Sequence, residues 1–123
     1  EMAGIVGKET AEQIRDRSCL LYKKAEEYAE NKGIIIADTK FEFGISDKGL
    51  MLIDEVFTPD SSRFWEKSRY VTGMSPESLD KQYIRDYLLS TDWDRNSTPP
   101  HLPEEVVRKT VSKYKQIYKI LVQ

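Results

Sequence analysis

IIIADTKFEFG (Ile34–Gly44), ISDKGLMLIDEVF (Ile45–Phe57) and TPDSSR (Thr58–Arg63) run consecutively, and their reading decides the fold. The first two read as a β-hairpin and the third as the loop leaving it. Side chains on a strand alternate between faces. Ile35, Ala37, Thr39, Phe41 and Phe43 therefore fall on one mostly apolar face, and Asp38, Lys40 and Glu42 on the other. An acid, a base and an acid make a poor core face and a good site face. A three-residue loop over Asp47-Lys48-Gly49, with Gly49 left-handed, is the expected turn, and it pairs Ser46 with Leu50, Gly44 with Leu52 and Glu42 with Asp54. The two carboxylates would then face each other with Cβ atoms about 5 Å apart. A two-residue turn would instead send Asp54 to the apolar face. Facing carboxylates repel unless neutralised, and a divalent cation such as magnesium suits hard oxygen ligands. A solvated outer sheet face, with Lys40 as the neutralising partner, accounts for the same spacing equally well.

The bulk numbers bound the rest. The chain has 123 residues, 33% of them charged, and a net charge of −2. That fits one domain, or a piece of one, with a modest core. The balanced charge gives no reason to expect nucleic-acid or anionic-membrane binding. A single cysteine, Cys19, excludes an internal disulfide and reads as a small buried helix residue. With one histidine, His101, no His/Cys metal cluster can be built. No apolar run approaches the roughly 20 residues of a membrane span. No signal peptide is visible, and the start at Glu1 reads as a fragment boundary.

Apolar recurrence at Ala11, Ile14, Ser18, Leu21, Ala25 and Tyr28 predicts a long helix from about Thr10 to Lys32, ended by Gly33 and packed on the hairpin. One helical turn is expected before Gly7. Beyond the hairpin, Pro59 interrupts any strand. Asp60, Ser61 and Arg63 offer ligands for phosphate or carboxylate, or form an Asx-type turn with a surface ion pair. Ser75-Pro76 reads as the start of a helix to about Ser90, with Lys81 and Arg85 four apart on one edge. Pro103 opens a last helix whose broad stripe includes Val106, Val107, Thr110, Val111, Tyr114, Ile117, Tyr118 and Leu121.

Four blocks in order resemble the SAICAR synthetase (phosphoribosylaminoimidazole-succinocarboxamide synthase) family. They are IIADTKFEFG (Ile35–Gly44), LIDEVFTPDSSRFW (Leu52–Trp65), DKQYIRDYL (Asp80–Leu88) and LPEEVVRKT (Leu102–Thr110). The resemblance implies an α+β fold, an antiparallel hairpin packed against several helices, forming the C-terminal part of a two-lobed, kinase-like ATP-binding ligase. Family enzymes are longer, so the N-terminal nucleotide-covering lobe is expected outside residues 1–123. The implied reaction joins L-aspartate to carboxyaminoimidazole ribonucleotide through an acyl phosphate, with ATP and Mg2+ as cofactors.

The resemblance also distributes roles. Glu42 and Asp54 hold the metal, and Lys40 lies by the phosphates, with Lys40 and Asp54 as the catalytic pair. Asp38, Asp60, Ser61, Arg63, Lys81 and Arg85 bind substrate. A cytoplasmic homo-oligomer is expected, and the 123 residues alone are not expected to turn over. A non-catalytic scaffold or oligomerisation domain is the competing class. A metal-dependent nuclease, suggested by acid-x-Lys on a hairpin strand, lacks the basic stripe such an enzyme needs.

Overall fold

The computed structural model describes residues 1–123. A helical turn, α1 (Met2–Val6), and a 24-residue helix, α2 (Lys8–Asn31), precede four strands: β1 (Ile34–Thr39), β2 (Glu42–Ser46), β3 (Gly49–Ile53) and β4 (Ser62–Glu66). A 3-10 turn at Lys67–Arg69 leads to α3 (Gln82–Leu89) and α4 (Glu104–Val122). No helix is long and apolar enough to cross a membrane.

α2 forms as its periodicity predicts, though Gly7 rather than Thr10 precedes it. It ends at Gly33, whose φ of 76° suits a residue without Cβ. Two expectations for this helix are not met. Cys19 is exposed, and Tyr28 is 53% exposed, its hydroxyl donating to the Leu121 carbonyl of α4. The stripe is completed instead by Ala29, which is buried, and by Tyr22, whose hydroxyl donates to the Ile36 carbonyl.

The strands depart from the expected hairpin. The first strand breaks at Lys40-Phe41, so β1 and β2 belong to different two-stranded sheets. β2 pairs with β3, while β1 pairs antiparallel with β4, a segment read from sequence as loop. Ile34 and Ile36 face the core opposite Phe64, not Ile35 and Ala37. A bulge then intervenes: Ile36 pairs with Phe64 but Asp38 pairs with the next residue, Arg63. Strict alternation would have carried Asp38 inward with Ile34 and Ile36. The bulged residue, Ala37, flips the phase and delivers Asp38 to the solvent face beside Arg63.

The β2–β3 turn is also one residue shorter than expected. Ser46 pairs with Gly49, and Glu42 pairs with Ile53, not Asp54. Gly49 is left-handed, with φ 98°, as the turn chemistry requires. The Ser46 hydroxyl accepts from the Lys48 N–H and donates to the Gly49 carbonyl, closing the turn over Asp47-Lys48. Asp54 therefore lies just past the ladder at φ 63°, exposed and outside the core.

Ala29, Ile34, Ile36, Phe64, Leu79 and Ile117 form the core. Leu79 reaches it from the segment before α3, which is not helical from Ser75-Pro76 as expected. Ser78 bridges to Trp65 and the Leu79 N–H donates to the Phe64 carbonyl, so this segment lies along β4 and the helix starts only at Gln82. α4 begins after Pro103 as expected, but only part of its stripe is covered. Val106, Thr110 and Ile117 are buried, whereas Val107, Val111 and Tyr118 remain exposed.

Candidate active site

One cavity of about 530 Å3 lies where β1, the 59–63 loop, β4 and the start of α3 converge. Seven residues singled out from the sequence line it: Asp38, Lys40, Asp60, Ser61, Arg63, Lys81 and Arg85. The others are Thr39, Glu55, Pro59, Ser62 and Asp80. No apolar side chain other than Pro59 contributes. Four acids (Asp38, Glu55, Asp60, Asp80) are matched by four bases (Lys40, Arg63, Lys81, Arg85). Such a cavity suits a ligand carrying both anionic groups and hydrogen-bond donors.

Each wall has a local cause. On the sheet wall, the bulge sets Asp38 opposite Arg63. Arg63 Nε donates to both carboxylate oxygens, at 3.0 and 2.9 Å, and Nη2 donates to Oδ2. Nη1 is left without a protein acceptor. The guanidinium holds the Asp38 carboxyl below its usual range, with Arg85 adding to the effect, while partial burial opposes it. A depressed carboxylate contributes stability above its unfolded pKa and loses it as pH falls through the folded value. Both side chains are about half exposed, so solvent screens the pair and its contribution to folding is small. Carboxyl-carbon NMR of Asp38 is expected to give a midpoint below that of a free aspartate, rising in Arg63→Met; an unmoved midpoint would refute the pairing.

The loop wall is tied by short hydroxyls. The Ser61 hydroxyl accepts from the Thr58 N–H at 2.9 Å, and Thr58 Oγ1 accepts from the N–H groups of Asp60 and Ser61. The Lys40 N–H donates to the Ser61 carbonyl at 2.9 Å, extending the β1–β4 pairing to the loop. Ser61 is consequently buried and Asp60 projects at the tip, exposed.

The helix wall depends on Asp80, which the sequence reading quoted only inside a longer block. It is 1% exposed, and it and Lys113 are the only buried charged residues. Oδ2 accepts from the Ser78 hydroxyl and from the Phe64 N–H at 3.3 Å, and Oδ1 accepts from the Gln82 N–H at 2.7 Å. One carboxylate thus ties β4 to the first turn of α3, where negative charge is also favoured by the helix dipole. It fixes Lys81 and Arg85 relative to Arg63, whose charged state it further favours. The signal was an acid two residues before the first helical N–H it accepts from, masked by the stronger Ser-Pro start five residues earlier.

Glu42 and Asp54 do not line the cavity. Glu42 meets Lys40 directly, Nζ to Oε1, in a largely exposed pair. The Lys40 ammonium is pushed above its usual range first by that bond, then by the charges of Glu42, Asp54 and Glu55. Three carboxylates thus share the field of one cation at the cavity mouth. Glu55 was not among the residues picked from the sequence. No three acidic, histidine or cysteine side chains converge into a cage that could hold a metal by themselves.

The SAICAR synthetase family model matches residues 1–100. The chain belongs to the SAICAR synthetase family. The phosphoribosylaminoimidazole-succinocarboxamide synthase of Thermodesulfovibrio yellowstonii is 53% identical over 121 residues, covering 98% of this chain and 41% of the relative. The Desulfotalea psychrophila protein of the same name is 58% identical over 113 residues, covering 92% and 38%. A solved Saccharomyces cerevisiae SAICAR synthase complexed with SAICAR superposes with a TM-score of 0.82 at 43% identity, over 97% of this chain and 40% of that one. A SAICAR synthetase in complex with ADP gives 0.67 at 25% identity, over 95% and 40%. The chain therefore spans about 40% of the length of these SAICAR synthetases. Their likeness and the observed elements agree on the α+β class expected from the sequence.

Proposed function

We propose that residues 1–123 form the C-terminal ATP- and substrate-binding part of a cytoplasmic purine-biosynthesis ligase. It would join L-aspartate to carboxyaminoimidazole ribonucleotide, giving SAICAR, ADP and phosphate. The observation that carries this reading is the charge-lined cavity, with its matched acids and bases, in a member of this family. A carboxylate oxygen of the ribonucleotide attacks the γ-phosphorus of ATP and ADP leaves. The aspartate amine then attacks the acyl carbon, phosphate leaves, and the amine loses a proton. Both steps build negative charge on oxygens, and fixed cations are the means of stabilising it. Arg63, Lys81 and Arg85 suit the anionic ends of the substrates, and Lys40 the phosphates. Asp38, held by Arg63, and Asp60 and Ser61 supply acceptors on the substrate side.

The fit to magnesium rests on donor chemistry at Lys40. Glu42 and Asp54 carry the hard oxygens that magnesium takes, and a site completed by water and phosphate oxygens needs no third carboxylate. They would hold the ion, whose contribution is to neutralise phosphate charge. Lys40 then has Glu55 as a remaining anionic neighbour.

The nucleotide-covering lobe lies, on this reading, in sequence outside these 123 residues. Support comes from the 40% span and from exposed apolar side chains such as Ile45, Met51 and Ile53 on the β2–β3 hairpin. The Val107–Val111–Tyr118 ridge of α4 is the expected contact between copies in a homo-oligomer.

The test uses the full-length enzyme carrying this segment, with ADP release followed against each substrate. Glu42→Gln and Asp54→Ala are expected to lower turnover at least about 100-fold and weaken magnesium-ATP binding by calorimetry. The unfolding free energy should change by under about 0.5 kcal/mol in Glu42→Gln, whose side chain is exposed, and fall by about 1 kcal/mol in Asp54→Ala, because alanine tolerates the φ of 63° less well than aspartate. Unchanged magnesium-ATP binding in both variants would remove the metal assignment, and ADP release that ignores L-aspartate would remove the reaction.

A further inference from the structure

One contact reaches the cavity from the C-terminal helix. Tyr114 of α4 donates its phenolic O–H to Oδ1 of Asp60 at 2.9 Å, across 54 positions of sequence. It lies beyond residue 100, where the family match ends. Asp60 has no other side-chain hydrogen bond and no ion pair, so Oδ2 has no protein partner. The backbone beneath it is already fixed by Thr58 and Ser61. The phenol therefore orients the carboxylate rather than building the loop.

The electrostatics keep this donor in place. Burial pushes the Tyr114 phenol far above its usual range, and the bond to Asp60 adds to the shift. The charges of Asp60, Asp80 and Glu55 act in the same direction. At any working pH the hydroxyl keeps its proton and can only donate to Asp60. α4 meanwhile is anchored by the buried Val106, Thr110, Lys113 and Ile117. Loss of the hydroxyl alone leaves the ring and the helix where they are.

We propose that Tyr114 is a positioning residue that holds Asp60 by one carboxylate oxygen so that the other accepts a hydrogen bond from an N–H or O–H donor of the bound substrate. The inference rests on the reading of the cavity given under Proposed function. It adds a residue from α4 to a site otherwise built by β1, the loop, β4 and α3. A carboxylate free to rotate would spread its acceptor over several directions. One pinned by a neutral donor presents a single lone-pair direction to the ligand, which is the benefit of preorganisation.

Tyr114→Phe, Asp60→Asn and the double variant, made in the full-length enzyme, test this through KM for the ribonucleotide, L-aspartate and ATP measured separately. Tyr114→Phe is expected to raise KM for one of the first two about tenfold and leave ATP unchanged, as fits a hydrogen bond involving a charged group. The substrate affected identifies the donor: an amine if L-aspartate, a ring substituent or ribose hydroxyl if the ribonucleotide. Asp60→Asn should raise the same KM, and the double variant should be no worse than Asp60→Asn. The melting temperature of Tyr114→Phe should stay within about 5 °C. If Asp60→Asn raises a KM while Tyr114→Phe moves neither, the positioning role falls and the site stands. If Asp60→Asn moves neither, the reading of Asp60 as a substrate ligand falls and takes the proposal with it. Additive losses in the double variant, or loss of the fold in Tyr114→Phe, would assign the hydroxyl to something other than Asp60 and overturn the proposal.

Discussion

Asp80→Ala is expected to lower unfolding stability by about 3–5 kcal/mol, read by urea denaturation of the chain. The carboxylate is 1% exposed and accepts three donors: the Ser78 hydroxyl and the N–H groups of Phe64 and Gln82. Its removal leaves them facing a void. The Ser78 hydroxyl already approaches the Phe64 carbonyl at 3.3 Å and can turn to it, so its cost is small. The two backbone donors have no such alternative: the buried Phe64 N–H costs about 1–3 kcal/mol when orphaned, and the part-buried Gln82 N–H somewhat less. The vacated volume and the freed first turn of α3 add to that. A domain of this size has roughly 5–15 kcal/mol in total, so the variant would stand near the edge of folding. Asp80→Asn keeps an acceptor on one side and should cost less, by about 1–2 kcal/mol. A change below about 1 kcal/mol in Asp80→Ala would mean that β4 and α3 are held together by packing of Phe64 and Leu79 alone.

Asp80 also marks where the sequence stopped being legible. The helices were readable because 3.6-residue periodicity acts over many residues, and α2 and α4 carry it for 24 and 19. The strands are short and their partners distant. Nothing in ADTKFEFG says that the chain breaks at Lys40-Phe41, because Phe41 continues the alternation while packing instead on Phe57, ring to ring at 5.3 Å and nearly perpendicular. The β1–β4 pairing joins residues 23 to 32 apart, and a five-residue strand starting just past Pro59-Asp60-Ser61 has no signature of its own. The bulge at Ala37 and the turn at Asp47-Lys48 each shift register by one residue, and one residue reverses every face beyond it. That is why the facing pair of Glu42 and Asp54 does not form. Asp60, Ser61, Lys81 and Arg85 were found all the same, because they lie in a loop and on a helix edge. Polar character alone marks such positions, and small register errors do not move them.

Arg63→Ala should separate function from folding in the opposite sense to Asp80→Ala. On the reading proposed above, kcat/KM of the full-length enzyme for the ribonucleotide or L-aspartate is expected to fall about 100- to 1,000-fold, equivalent to about 3–4 kcal/mol of transition-state stabilisation. Unfolding stability should change by less than about 1 kcal/mol, because the ion pair with Asp38 is half exposed. Arg63 stands on β4 between Ser62 and Phe64, both buried, so its backbone is fixed by neighbours that do not depend on its side chain. It lines the candidate-site cavity and also a second one of about 380 Å3 beside Trp65 and Tyr83. Nε and Nη2 are committed to Asp38, which leaves Nη1 for a ligand anion. Arg63→Lys retains the charge but not the fork. A lysine can serve Asp38 or the ligand with one ammonium, not both in fixed directions, so most of the loss should persist. Full recovery in Arg63→Lys would show that charge alone matters there and that the bulge aligning Asp38 with Arg63 has no part in recognition. Loss of stability in parallel with activity would return the pair to a structural role, leaving Lys81 and Arg85 as the cations of the cavity without an ion-pair partner.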